Sequence, residues 1–158
     1  LPPRDAEVDV SQHVLLAGEA IAALGAGPIV VVAHSAGAIV APQLLAHLGS
    51  AAAHVVFVAG LIAPEGARPA DIVHPERVAA MAERRVGLLA DRRGSVFVHS
   101  AALAPPGLAA ITDPSIVQGI DSLNLMYQVV TWSGVGGHVG RTYIRCGRDE
   151  IQTPDMQA

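Results

Sequence analysis

PIVVVAHSAGAIVAPQLLAHL, residues 28–48, is the stretch from which the rest of the chain is read. It opens on a β-branched apolar run, Ile29-Val30-Val31-Val32, which predicts a strand buried on both faces. Ala33-His34-Ser35-Ala36-Gly37 then turns the chain, and residues 36–48 are compatible with a helix. Pro42 falls inside that helix, where its missing N–H and its ring predict a kink.

A strand, a small-x-Ser-x-Gly turn and a helix in immediate succession form the layout of a nucleophile elbow. Such a turn lifts the Ser35 hydroxyl clear of the sheet. It also aims the first amides of the helix, Ala36 foremost, at one point where the helix dipole favours an oxyanion. A turn this sharp brings two backbones together, so positions 33 and 37 are expected to be small for steric reasons. Ala33 stands where Gly is usual, which the same steric argument tolerates. The pentapeptide alone says little in a chain rich in Ala and Gly. A second His-Ser-Ala, at residues 99–101, lacks both the Gly and a following helix. Stripped of its strand and helix, AHSAG would be an ordinary βα turn that contains a serine.

A length of 158 residues predicts one domain with a sizeable core. The hydrophobic fraction is high, 51%, yet Glu19, His34-Ser35 and His54 interrupt the apolar runs before they reach transmembrane length. A net charge of -4 leaves no basic footprint for nucleic acid. Neither nucleic acid nor a membrane is expected as a partner. All ten basic residues are Arg, which reads as compositional bias. Cys146 stands alone, so no disulfide framework and no cysteine metal site is expected. His13, His47, His54, His74 and His99 lack paired ligand spacing, so neither metal nor cofactor is expected. The chain opens on Leu1, and LPPRDAEVD has no signal-peptide pattern. Its beginning reads as a cut into a longer chain, with the cytoplasm as default compartment.

Taken in order, residues 1–8 read as a loop. Asp9 or Ser11 can cap a helix reaching about Leu24, with Val14, Ala17, Ile21 and Leu24 on one apolar face. Gly25-Ala26-Gly27-Pro28 ends it. Gly49-Ser50 breaks the elbow helix, and HVVFVA, residues 54–59, predicts a second buried strand parallel to the first. Between residues 61 and 139 the pattern changes. Two prolines punctuate a loop over residues 60–69. A polar-faced helix is expected over residues 75–89, a short strand over 95–99, and a helix over 114–127 capped by Asp113. Arg84-Arg85 and Arg92-Arg93 read as solvated surface. This portion predicts a mostly helical insertion lying over the strand ends, with core about 1–60 and 140–158. GVGGHVG, residues 134–140, precedes a strand instead of opening a helix, the reverse of a dinucleotide fingerprint, and reads as a loop.

RTYIRC, residues 141–146, predicts a third strand, followed by Gly147-Arg148-Asp149-Glu150, with Pro154 at a helix start. An acid just past the C-terminal end of a parallel strand lies on the sheet edge that also carries Ser35. Asp149 therefore fits the acid that orients a histidine, in the chain order Ser, Asp, His.

AHSAG after its strand, HVVFVAGLIAP after its helix and YIRCGRDEIQTPDMQ near the end together resemble the α/β-hydrolase fold. The resemblance narrows to the branch of plant methylesterases, hydroxynitrile lyases and small bacterial esterases. It implies a partial α/β-hydrolase fold, a parallel sheet core with helices and a cap insertion, of which SLNLMYQVVTW resembles the later part. It also implies Ser35 as nucleophile and Asp149 as triad acid, with no cofactor. The family's earlier strands and its His-Gly loop, which supplies one oxyanion amide, have no counterpart here. The family's histidine follows the acid by a further strand, and none of the seven histidines lies after Asp149.

Two readings follow. In one, the chain belongs to a serine hydrolase acting on a small ester: Ser35 attacks, a histidine takes its proton, Asp149 orients it and the Ala36 amide holds half of the oxyanion. In the other, it is a catalytically inactive fragment or a binding module on the same scaffold. A hydroxynitrile-lyase-like activity reuses the same residues and is not separated from esterase by sequence. Three parallel strands with both edges bare further predict self-association.

Overall fold

A computed structural model describes residues 9–25, 27–72, 96–98, 120–122, 124–149 and 153–157. Its frame is a three-stranded parallel sheet in the order β1-β2-β5, with β1 at Ile29–His34, β2 at Ala52–Val58 and β5 at Gly140–Ile144. Val31 pairs with Val55 and Phe57 with Tyr143, so a strand, helix, strand unit is extended by a third strand from far along the chain. The parallel pairing of β1 with β2 expected from sequence is present, and β5 adds the third parallel strand beside β2.

Helix α1, Val10–Ala22, starts where its capping chemistry is complete. The Asp9 carboxylate accepts from the Gln12 amide at 2.9 Å, and the Gln12 side chain accepts from the Asp9 amide at 3.0 Å. The Ser11 hydroxyl donates to the same carboxylate and, with the Gln12 amide, holds it below the usual carboxylate range. Asp9, not Ser11, is thus the cap. Val10 donates its free amide to the Gln128 side chain at 2.9 Å, tying α1 to a distant segment. Val14 is buried and Ala17 and Ile21 pack against the core, but Leu24 lies past the helix end and is exposed. The expected apolar face is one residue too long.

Helix α2, Gly37–Leu48, is covered from two sides. Ile39 and Leu44 join Val10 and Val14 of α1, whereas Ala38, Ala41 and Leu45 sit on Ala33, Val55 and Phe57 of the sheet. Pro42 lies within the helix, which runs on through it. The crossing with α1 is close: a Cβ on Gly18 would stand 2.5 Å from the His47 ring nitrogen.

Between residues 61 and 139 the described elements depart from the expected pattern. Pro69–Ile72 is a one-turn helix, α3, and Asn124–Tyr127 another, α4. Val96–Val98 (β3) lies within the strand expected at residues 95–99 and pairs antiparallel with Ile120–Ser122 (β4). The long helix expected over residues 114–127 is therefore corrected: its second half is a β strand and then a single turn. The antiparallel pairing of Ile120–Ser122 with Val96–Val98 overrides the local helical preference there. The helix expected over residues 75–89 and the two Arg pairs lie outside the described residues. At the C-terminal end, residues 154–157 form a turn rather than a helix start.

The sheet is not covered equally. Val31, Ala33, Val55 and Phe57 face α2, while Val30 and Val32 on the opposite face of β1 are 56% and 66% exposed. The strand read as buried on both faces is buried on one.

Candidate functional site

The elbow is built at the C-terminal end of β1. Ser35 donates its amide to the Val58 carbonyl at 3.1 Å, continuing the ladder by one rung, and then adopts φ 51°. A non-glycine residue in the left-handed region costs of order 1–3 kcal/mol and persists only where its surroundings fix it. Here the fixing bonds are explicit: the Ser35 carbonyl accepts from Ala38 at 3.1 Å and from Leu61 at 3.4 Å. Ala36 is the N-cap of α2 and is exposed, and the bonds closing the first turn run from Ala38 to Ser35 and from Ile39 to Ala36. Ser35, Ala36 and the start of α2 are thus arranged as a strand, turn and helix.

The steric expectation at position 37 is corrected. A Cβ on Gly37 would meet nothing within 4 Å. The tight approach is instead at Gly60, where a Cβ would stand 2.7 Å from that of the buried Ala38. The helix start is crowded by the loop leaving β2, not by its own turn. Just before it, Ala59 donates its amide to the Ile144 carbonyl at 3.1 Å and takes φ 43°. Two neighbouring strands therefore leave the sheet through left-handed, non-glycine residues at the same level. Nothing in the sequence marks Ala59 for that conformation. The Tyr143 hydroxyl completes the support by donating to the Gly60 carbonyl at 2.9 Å, and burial pushes that hydroxyl above its ordinary pKa.

Asp149 follows β5 by five residues. Because Val58 pairs with both His34 and Ile144, the ends of β1 and β5 lie on one sheet edge with β2 between them. Two strand spacings put them roughly 10 Å apart. The Asp149 amide donates to the Cys146 carbonyl at 3.2 Å, and the buried Gln157 holds the same residue from the other side. Its carboxamide accepts from the Cys146 amide at 2.8 Å and donates to the Cys146 carbonyl at 3.1 Å. Gln157 imitates a neighbouring strand, a role its residue type does not announce.

Three of the described histidines are engaged elsewhere. His13 bonds the Asp9 carbonyl, His47 packs on Gly18, and His54 bonds Thr142. His34 is exposed at the end of β1, two residues on from the exposed Val32. His138 precedes Gly140, which pairs with His54 at the opposite end of the sheet from Ser35. It is therefore not placed as a substitute base for Ser35. His74 and His99 lie outside the described residues. Among the described residues no group of His, Cys, Asp and Glu could hold a metal, and no helix is long and apolar enough to cross a membrane. A groove of about 460 Å³ between Phe57, Ile62, Pro64, Trp132, Arg141 and Tyr143 lies beside β5 and includes neither Ser35 nor Asp149.

Comparison with solved structures gives twelve matching chains. One is the crystal structure of a His-to-Ala variant of PytH, with a TM-score of 0.64 and 16% identity, over 95% of this chain and 62% of that one. The likeness is one of fold, and the chain spans 62% of its relative's length. No curated protein matches. The family model described as "Alpha/beta hydrolase family" matches residues 1–158, the whole chain. With its parallel sheet, its strand, turn and helix at Ser35 and that match, the chain belongs to the alpha/beta hydrolase family.

Proposed function

We propose that this chain carries the nucleophile and acid of a serine hydrolase that cleaves a small-molecule ester. The observation that supports the reading is the left-handed φ of Ser35 between a strand and the start of helix α2. Ser35 Oγ attacks the ester carbonyl and passes its proton to a histidine, and the alkoxide leaves with that proton. The resulting acyl-enzyme is then hydrolysed by water. The Ala36 amide, at the positive end of the twelve-residue helix α2, donates to the tetrahedral oxyanion. Asp149, across β2 on the same edge, accepts from the histidine and holds its ring.

Hydrolysis of p-nitrophenyl acetate by the full-length gene product tests the reading, with Ser35→Ala and Asp149→Asn beside it. Ser35→Ala is expected to lower kcat by as much as about a million-fold, the scale measured for a serine-protease nucleophile. A rate indifferent to Ser35→Ala would contradict the proposal, and no turnover at all would favour a binding module. The 158-residue chain alone is expected to show almost no Ser35-dependent turnover, since His13, His47 and His54 are engaged elsewhere and His138 lies toward the opposite end of the sheet.

A further inference from the structure

The insertion leaves and rejoins the core through two legs, residues 60–68 and 128–133, and one carboxylate joins them. Glu65 accepts from the Thr131 hydroxyl at 2.9 Å, from the Ser133 amide at 3.1 Å and from the Trp132 amide. Beside it the legs exchange backbone bonds, Gly66 to Val130 at 3.0 Å and Val130 to Ala67 at 2.9 Å. Trp132 then returns the connection, its indole N–H donating to the Ala63 carbonyl at 2.9 Å. Ala63 is two residues from Leu61, whose amide donates to the Ser35 carbonyl. A continuous chain of bonds thus runs from Glu65 through Trp132 and the 61–63 loop to the elbow.

We propose that Glu65 is a positioning residue that latches the two legs of the insertion together and thereby holds the 61–63 loop against Ser35. The latch is electrostatic and exposed. Its three donors hold the Glu65 carboxyl below the usual glutamate range, the Trp132 amide contributing most. The surrounding charges are otherwise engaged. Arg68, just before α3, pairs with Asp71 of that helix at 2.8 Å, with the Tyr127 hydroxyl of α4 near Arg68, and Arg141 lies 4.9 Å over the Trp132 ring. A carboxyl with a lowered folded pKa contributes its stabilisation fully above the ordinary glutamate range and loses it as pH falls through the lowered value. The latch is therefore closed at neutral pH and opens in acid.

Trp132 is the only tryptophan of the chain, so its emission and its quenching by acrylamide report on the latch directly. Glu65→Ala at neutral pH is expected to red-shift the emission and raise the quenching constant severalfold with the far-ultraviolet circular dichroism unchanged. Glu65→Asp is expected to restore part of both. Wild-type quenching should show an acid step below the ordinary glutamate range that Glu65→Gln lacks. Unchanged emission and quenching in Glu65→Ala, or an acid step that survives in Glu65→Gln, would overturn the latch. The second arm rests on the reading of Ser35 as nucleophile: a fluorophosphonate should modify Ser35 severalfold more slowly in Glu65→Ala. Unchanged labelling beside a loosened Trp132 would overturn the coupling to the elbow. If the wild type does not label at all, the reading of Ser35 fails while the Trp132 arm still decides the latch.

Discussion

Ser35 and Gly60 show how far a single residue's surroundings decide its meaning. The serine was legible because its sequence context was local: four β-branched or apolar residues before it and a helix after it. Gly60 was not, because the neighbour that makes it necessary, Ala38, lies across a strand connection and touches it only in the folded chain. The two glycines should therefore respond oppositely to alanine. Gly37→Ala meets open space at the first turn of α2 and should be neutral or stabilising by up to about 1 kcal/mol. Gly60→Ala overpacks against Ala38 and should destabilise by about 1–3 kcal/mol. Adding Ala38→Gly should recover part of that loss, although a helical glycine itself costs about 1 kcal/mol. Denaturant midpoints for the cycle would measure the coupling, and additive effects would show that the contact is not what makes Gly60 necessary.

At the scale of elements, the periodic segments read well and the aperiodic ones did not. α1 follows a capped run and β1 and β2 follow β-branched runs, and the ends of these elements and of α2 and β5 were placed within a few residues. β4 was missed because three residues, Ile120–Ser122, carry no periodicity and become a strand only through their pairing with Val96–Val98. The staple of Gln157 on Cys146 was missed for a related reason, since a glutamine's use as a strand mimic depends on where its backbone arrives. Gln157→Ala removes both bonds from a side chain that is 6% exposed, and should destabilise by about 1–3 kcal/mol. Leu45→Ala, in a fully buried site between α2 and the sheet, should lose more, about 2–5 kcal/mol. Urea unfolding at constant m would check both. A Gln157 variant as stable as wild type would show that the turn at residues 154–157 is held by other bonds, such as Arg145 to the Pro154 carbonyl.

For the whole molecule, the decisive feature is an apolar sheet that is open on one face. Among the described residues β1 and β5 each pair on one side alone, and Val30, Val32 and Ile144 are about half exposed or more. Parallel sheets are stable when both faces are covered, and a bare apolar edge invites pairing with another chain. We therefore expect the 158-residue chain by itself to self-associate, and Val30→Lys with Val32→Lys to weaken that association with little loss of stability. Sedimentation across a concentration series would show it, and a wild-type monomer at every concentration would contradict it. The same open sheet leaves the elbow intact, because its fixing bonds come from β2, α2 and the 61–63 loop, all present in the chain. The central claim is thus testable without turnover. The folded 158-residue chain should be treated with a fluorophosphonate and digested, and the adduct located by mass spectrometry. A slow, stoichiometric adduct on Ser35 is expected, lost in Ser35→Ala. An adduct on Ser100, or none on the folded protein, would contradict the assignment of Ser35 as a positioned nucleophile.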